Sequence, residues 1–306
     1  MTELSPPNRP IPPEEAAAWE LRVAAARGES TPLTWMERLR LTLRIIALVV
    51  LILIFVPLHY IYRIFAYGSP FPMLFLRYAA RVCGAKVVSH GTFLRRDVFF
   101  VANHVSWLDI LSMAGACGTA FVAKAELRKA PVVGWLSTLN RTVFVQREQR
   151  MGVAEQINAL REALEDNWSV TVFPEGTTTD GQSLLPFKSS MLSVLEPPPT
   201  EVMVQPVFID YGAVAEWIGW VGQEGGLNNA KRILSRKGTF TLDLHFLEPF
   251  SPEDFRGRKA ISAEARRRIE EIMVEKIGCA PRDFNHDVAP IRYQAPRDKV
   301  TSSEDS

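Results

Sequence analysis

Eighteen consecutive residues, Ile45–Tyr62 (IIALVVLILIFVPLHYIY), carry no formal charge. As a helix rising 1.5 Å per residue this stretch is about 27 Å long, close to the ~30 Å hydrocarbon thickness of a bilayer. A removable secretory signal would lie near Met1 and end at a small-residue cleavage site. This stretch instead begins 44 residues in and runs into Arg63, so it is expected to stay in the mature protein. Three placements are open. It is a single span, or one arm of a hairpin that enters and leaves one leaflet with a second, amphipathic helix over 71–82, or the core helix of a soluble domain. Eighteen uncharged residues exceed most core helices, which favours the membrane. Arginines on both sides blunt the positive-inside rule and Pro57 is a kink point, so spanning and one-sided attachment both stay open.

Charge is distributed to match. The whole chain has 35 Lys plus Arg against 34 Asp plus Glu, a net charge of +1 that gives no pull toward nucleic acid. By segment, 1–34 is net −2, 35–84 is net +5, 85–278 is net −1 and 279–306 is net −1. All the positive excess surrounds the apolar stretch, as Arg38, Arg40 and Arg44 before it and Arg63, Arg77 and Arg81 after it. Such groups favour anionic lipid surfaces by about 1 kcal/mol each when close to the membrane. Three scattered cysteines, Cys83, Cys117 and Cys279, fit neither a disulfide framework nor a zinc site and point to a reducing compartment.

Four regions follow. Residues 1–34 hold six of the 21 prolines around an alanine-rich stretch, Glu14–Ala26, with helical character, and read as a mostly disordered lead-in. Residues 35–84 are the membrane-anchoring helices. Residues 85–278 alternate β-rich runs with helical periodicity, the pattern of an α/β domain around a largely parallel sheet. Strands are expected at 86–89, 98–102, 120–123, 142–145, 170–173, 202–209 and 240–246. Val153, Ile157, Leu160 and Leu164 recur at helical spacing, and 263–277 reads as a charged surface helix. Residues 279–306 read as an irregular strap followed by disorder.

Two clusters carry chemistry. In Asn103-His104-Val105-Ser106-Trp107-Leu108-Asp109 the histidine and aspartate are five residues apart, about 140° around a continuous helix. They meet if His104 lies in a strand-to-helix loop and Asp109 in the helix's first turn, with Ser106 as N-cap. The carboxylate then accepts the imidazole Nδ1 proton and leaves Nε2 as a general base. Equally open is a plain capping box between Ser106 and Asp109, with His104 a loop residue. The second cluster is Phe173-Pro174-Glu175-Gly176-Thr177-Thr178-Thr179-Asp180-Gly181, a polar loop at a strand's carboxyl end or an ordinary turn. Lys124, Arg147 and Lys188 follow expected strands or sit in loops, as binding cations or solvated ones.

The order of these pieces resembles the membrane-bound glycerolipid acyltransferase family, which includes 1-acylglycerol-3-phosphate and related lysolipid acyltransferases. The family's N-H-x-x-x-x-D block is similar to Asn103, His104 and Asp109. Its F-[IV]-x-R block is similar to Phe144-Val145-Gln146-Arg147, preceded by Phe121-Val122-Ala123-Lys124, Pro131 and Gly134-Trp135. F-P-E-G-T matches Phe173 to Thr177, and V-x-P-V matches Val204 to Val207. The resemblance covers about 85–250. It implies an α/β, glycerol-3-phosphate acyltransferase-like domain with a largely parallel central sheet, preceded by an N-terminal membrane-binding helix or helical hairpin.

It also implies roles. His104 and Asp109 would be catalytic; Lys124, Arg147, Glu175, Gly176, Thr177, Thr178 and Lys188 would bind substrate; no metal or cofactor is required. Many relatives that acylate lysophosphatidic acid continue F-P-E-G-T with arginine and serine. Here Thr178 and Thr179 stand there, and losing that arginine removes a fixed charge suited to a phosphate. The run is more similar to the lyso-ornithine lipid O-acyltransferase branch. The expected donor is an acyl thioester of acyl carrier protein or coenzyme A, and the acceptor a single-chain membrane lipid. Lyso-ornithine lipid is preferred, with 1-acylglycerol-3-phosphate as alternative. The expected location is a bacterial inner membrane with the site facing the cytoplasm. A non-catalytic lipid-binding protein has no need of the His104–Asp109 pair, and a thioesterase or lipase would be expected to carry a G-x-S-x-G elbow, which the chain lacks.

Overall fold

A computed structural model describes residues 13–66, 68–124, 131–140, 142–145, 169–199 and 201–282. Three helices, α1 (Pro13–Ala26), α2 (Trp35–Phe65) and α3 (Phe71–Val82), precede β1 (Ala85–His90) and β2 (Val98–Ala102). Next come α4 (Leu108–Cys117), β3 (Ala120–Lys124), α5 (Pro131–Leu139), β4 (Val143–Val145) and β5 (Ser169–Val172). A 3₁₀ segment Ser189–Leu195, β6 (Met203–Asp210), α6 (Gly226–Ser235), β7 (Phe240–Phe246) and α7 (Gly257–Ile277) complete the fold. The seven strands lie where the β-rich runs place them, none shifted by more than one residue at either end. The helix expected around Val153–Leu164 lies outside the described residues.

One sheet in the order β1-β7-β6-β2-β5-β3-β4 forms the centre. Every neighbouring pair is parallel except β6 and β7, so the sheet is largely parallel, as expected. The central strands β2, β5 and β6 are almost wholly buried because both their faces are covered; β2 and most of β6 are apolar, while β5 places the hydroxyls of Ser169 and Thr171 in the interior. Val98, Phe100 and Ala102 pack with Leu76 and Ala80 of α3, Leu108 and Met113 of α4 and Leu242 and Leu244 of β7. Phe99 and Val101 face the other way, onto Val170, Val172, Leu192, Leu195 and the α7 residues Ile261 and Ala265. Helix α7 is charged on its outer side, as read, but it starts at Gly257 and buries Ile261, Ala265, Ile269 and Met273, every fourth residue.

The apolar stretch belongs to a longer helix than its charge-free core indicates. Thr34 and Glu37 form a capping box: the Glu37 N–H donates to Thr34 Oγ1 at 3.4 Å, and the Thr34 N–H to Glu37 Oε2 at 2.8 Å. Helix α2 therefore starts ten residues before Ile45, and Pro57 stays inside it. One face is occupied by protein. Leu41 and Leu48 pack on the core, and Phe55 meets Phe71, Phe75 and Tyr78 of α3. Arg40 Nε donates to the Ser235 carbonyl at 2.8 Å; Arg44 donates to the carbonyls of Ile233, Leu234 and Gly238 at 3.0–3.1 Å. These arginines, counted above among the groups facing lipid, instead satisfy the carbonyls at the C-terminal end of α6. The other face is apolar and exposed, with Leu43, Ile46, Val50, Leu53, Ile61 and Phe65 along it.

The lead-in requires a correction from Pro13 onward. Instead of being disordered, 13–34 form α1 and a strap docked on the domain, with Arg22, Ala25 and Ala26 buried. The Gln223 N–H donates to the Ala26 carbonyl at 2.7 Å, and Trp19 meets Trp217 edge-on at 5.6 Å. The strap's partners lie about 200 residues away in sequence, so its proline content was no guide to its order. The C-terminal strap is described only to Arg282, whose N–H donates to the Gln182 carbonyl at 3.0 Å.

Helices α3 and α4 touch at Gly115, where an added Cβ would lie 2.7 Å from the Arg77 backbone N and Cα. Gly115→Ala is therefore expected to push the helices apart and cost about 1–3 kcal/mol, measured by thermal or denaturant unfolding.

Candidate active site

Three adjacent strands, β6, β2 and β5, run parallel, and the loops leaving their carboxyl ends meet at one edge of the sheet. β2 delivers Asn103 and His104, β5 delivers Phe173 to Thr177, and β6 delivers Tyr211. Open α/β sheets bind ligands at such an edge because side chains from several strands converge there while the backbone ladder ends. Asn103 is pinned first. Its amide accepts from the Ile209 N–H at 2.7 Å and donates to the Ile209 carbonyl at 3.0 Å, fixing the start of the loop to β6.

The His104 ring lies flat on Phe173, with centroids 4.1 Å apart and planes 11° apart, and Phe121 stacks beneath at 5.8 Å. His104 Nδ1 and Asp109 Oδ2 are 2.8 Å apart. The same Oδ2 accepts the N–H groups of Val105 at 2.7 Å and Ser106 at 2.9 Å, while Oδ1 accepts the Tyr211 hydroxyl at 2.5 Å. Asp109 is fully buried; the His104 side chain is 17% exposed. A carboxylate oxygen already taking two backbone donors acts as acceptor toward the imidazole, so Nδ1 is the donor in this contact. Nε2 has no hydrogen-bond partner among the described residues. The helix proper starts at Leu108, and Ser106 Oγ accepts the Leu108 N–H at 3.4 Å and lies in hydrogen-bond contact with the Tyr211 hydroxyl. Ser106 is thus not the N-cap expected, and the cap and the imidazole partner are one carboxylate.

The second cluster supports the first. Glu175 is 1% exposed; its Oε1 accepts the His104 N–H at 2.8 Å and its Oε2 the Leu185 N–H at 2.9 Å. Burial raises its pKa to about 8, against the two backbone N–H bonds that favour the anion. The Thr179 N–H donates to the His104 carbonyl at 2.8 Å, and Thr178 Oγ1 donates to the Trp220 carbonyl. Gly176 has φ +76°, and an added Cβ would sit 2.6 Å from Lys188 Nζ, so the glycine lets the ammonium lie against the loop. Thr177 is half-buried beside it and Lys188 is exposed.

Residues named from sequence thus fall into three groups. His104, Asp109, Glu175, Gly176, Thr177, Thr178 and Lys188 are brought together. Lys124 ends β3, at the same sheet edge, next to β5. Arg147 lies outside the described residues. Tyr211 was missed, although it follows the V-x-P-V strand by four residues, and so was the Phe173 stack. Among the described residues no three His, Cys, Asp or Glu side chains gather as a metal-binding group.

Two outcomes follow from this geometry. Tyr211→Phe removes the donor to a buried carboxylate and is expected to cost about 1.5–3 kcal/mol in denaturant unfolding. Glu175 has a folded pKa near 8, above its ordinary 4.5, so the native state holds a proton that the unfolded chain releases in between. The stability tied to that proton is complete below the unfolded pKa and is lost as pH rises through the folded one. Across this window the melting temperature of the wild type is expected to fall relative to that of Glu175→Gln, measured by calorimetry at a series of pH values.

The chain is similar to known proteins over this region. A family model described as Acyltransferase matches residues 81–210, which include both clusters and most of the sheet. Lyso-ornithine lipid O-acyltransferase of Rhizobium meliloti is 32% identical over 216 residues, covering 66% of this chain and 74% of that protein. The Brucella abortus protein of the same name is 30% identical over 252 residues, 77% of this chain and 94% of that one. The crystal structure of the 1-acyl-sn-glycerophosphate (LPA) acyltransferase PlsC from Thermotoga maritima superposes with a TM-score of 0.59 at 25% identity, covering 78% of this chain and 95% of that one. With the paired His104 and Asp109 at the sheet's carboxyl edge and this extent of likeness, the chain belongs to the acyltransferase family.

Proposed function

We propose that this acyltransferase moves a fatty acyl group from a thioester to the free hydroxyl of a lysolipid, with lyso-ornithine lipid as acceptor. The observation that carries the chemistry is the 2.8 Å contact between His104 Nδ1 and a fully buried Asp109, which leaves Nε2 as the basic nitrogen. Nε2 takes the hydroxyl proton, and the alkoxide oxygen bonds to the thioester carbonyl carbon. The tetrahedral adduct collapses with cleavage of the C–S bond, and the imidazolium returns the proton to the leaving thiolate. Asp109 stabilises the transient imidazolium, and Tyr211 and the two loop N–H groups keep the carboxylate in place. His104 and Asp109 are the catalytic residues, and no metal or cofactor enters this scheme.

Thr178 supports the acceptor assignment. Its hydroxyl is turned to the Trp220 carbonyl, and no fixed cation stands at the position where the resemblance places a phosphate-binding arginine. The relatives from Rhizobium and Brucella named for lyso-ornithine lipid point the same way. Lys124, Arg147, Glu175, Gly176, Thr177 and Lys188 would shape the acceptor side. The second reading, 1-acylglycerol-3-phosphate as acceptor, rests on the likeness to the Thermotoga enzyme and on the cations Lys124, Arg147 and Lys188. The donor is acyl carrier protein or coenzyme A carrying the acyl thioester. Attachment is one-sided in this proposal: one face of α2 is packed on the domain from Leu41 to Phe55 and the opposite face is left for lipid. The membrane would be a bacterial inner membrane, with the site on the cytoplasmic side.

A labelled acyl thioester, given with each of lyso-ornithine lipid, lysophosphatidic acid and other lysophospholipids, tests the assignment. Transfer is expected to need the acceptor and to be fastest with lyso-ornithine lipid. Acceptor-independent release of acid would mean a hydrolase, and no turnover a binding protein. His104→Ala and Asp109→Asn are each expected to lower turnover by at least about 10²-fold with vesicle binding retained. Wild-type turnover in His104→Ala would overturn the mechanism.

A further inference from the structure

Arg22, on the helix that precedes the apolar module, is 1% exposed. A guanidinium is buried only where its donors are used. Nε donates to the Glu216 carbonyl and Nη2 to the Gly219 carbonyl, each at 2.8 Å, while Nη1 makes no hydrogen bond among the described residues and faces Glu224 Oε2 as an ion pair at 3.7 Å. Arg232 of α6 holds the same loop from the other side. It donates to the carbonyls of Trp217 and Gly219 and to both oxygens of Glu224. Loop 216–224 is therefore clamped between two arginines that share one buried carboxylate.

The inner side of that loop touches the site. The Trp220 N–H donates to the Val105 carbonyl at 3.0 Å, and the Trp220 carbonyl accepts Thr178 Oγ1. A Cβ on Gly219 would lie 2.9 Å from the Thr179 carbonyl oxygen, so the two backbones are in direct contact. Val105 and Thr179 are the residues that bond Asp109 and the His104 carbonyl.

We propose that Arg22 is a positioning residue of the acyl-transfer site: α1 braces loop 216–224, and through it the loops carrying His104 and Thr178. This rests on the acyltransferase reading above. Displacing reacting groups by about 1 Å can cost about 10²-fold in rate. Loss of the brace therefore lowers kcat, whereas a residue that only stabilises the fold changes the amount of folded enzyme and not its turnover.

The test uses full-length enzyme in lysolipid-containing vesicles. Arg22→Met is expected to lower kcat per folded molecule by about 10–100-fold, with a smaller change in KM for the thioester and partial recovery in Arg22→Lys. Amide hydrogen exchange is expected to speed up at Trp220 and Thr179 and to stay unchanged in β2, β5 and β6. Gly222→Ala attacks the same contact without touching Arg22, since its Cβ would lie 2.3 Å from the Ala26 carbonyl oxygen, and serves if Arg22→Met does not fold. An unchanged kcat per folded molecule, or exchange that rises uniformly through the sheet, overturns the proposal. A wild type that transfers to no lysolipid sinks the acyltransferase reading instead, and the exchange pattern then decides whether Arg22 braces the loops.

Discussion

The Asp109 carboxylate is sealed from solvent, and its two oxygens take hydrogen from an imidazole, two loop N–H groups and a tyrosine hydroxyl. A buried carboxylate lacking such partners would cost several kcal/mol, so those donors must stand where they do for the chain to fold around it. The loop after β2, the first turn of α4 and the end of β6 are therefore mutually fixed. The donor role of His104 Nδ1 is a by-product of the same requirement: an oxygen already holding two backbone N–H groups accepts from the imidazole and does not donate to it. The carboxylate that secures the loop is also the partner of the imidazole, so its structural role and the proposed catalytic one are not alternatives.

Around that carboxylate the support is built in layers of backbone bonds. Glu175 holds the His104 N–H, Thr179 holds its carbonyl, and Trp220 holds the carbonyl of Val105. Helix α6 ties these layers to the rest of the molecule. Its Asn229 accepts the Trp107 indole N–H at 3.0 Å beside the site. Its C-terminal carbonyls take Arg40 and Arg44 of α2, and its Arg232 shares Glu224 with Arg22 of α1. The apolar helix, the N-terminal helix and the catalytic loop thus meet on one short helix, and the proposed lipid attachment and the site are held in one rigid relation by charged hydrogen bonds.

Strand β2 was legible because a strand buried on both faces is an apolar run, VFFVA at 98–102, and β7 because FTLDLHF alternates between buried and more exposed positions. The spacing of His104 and Asp109 allowed a contact across a strand-to-helix turn but equally a plain capping box, and it was the resemblance to the acyltransferase family that singled out the pair. The start of α2 was also written in the chain, as Thr34 and Glu37, but the charge-free core drew attention away from it. The helical character of 14–26 was legible and returns as α1, but the docking of 13–34 on the domain was not. A proline-rich, alanine-rich segment reads as weakly structured when taken alone, and its partners Glu216, Gly219 and Glu224 are about 200 positions away.

The amino-acid order alone thus indicated the apolar helix, the seven strands and a largely parallel sheet, while the roles proposed for His104 and Asp109 came from the family resemblance. The helix and the strands follow from the hydrophobic pattern, and the largely parallel sheet from the alternation of strands with helices. Only the tertiary structure decided that Glu175 secures the backbone of His104, that Tyr211 completes the Asp109 shell, that Arg40 and Arg44 serve α6 rather than lipid, and that α1 is docked. Each of these joins groups roughly 70 to 200 positions apart. Whether a polar side chain faces water or a buried partner is set by which surfaces the sheet brings together, and local sequence carries no record of that.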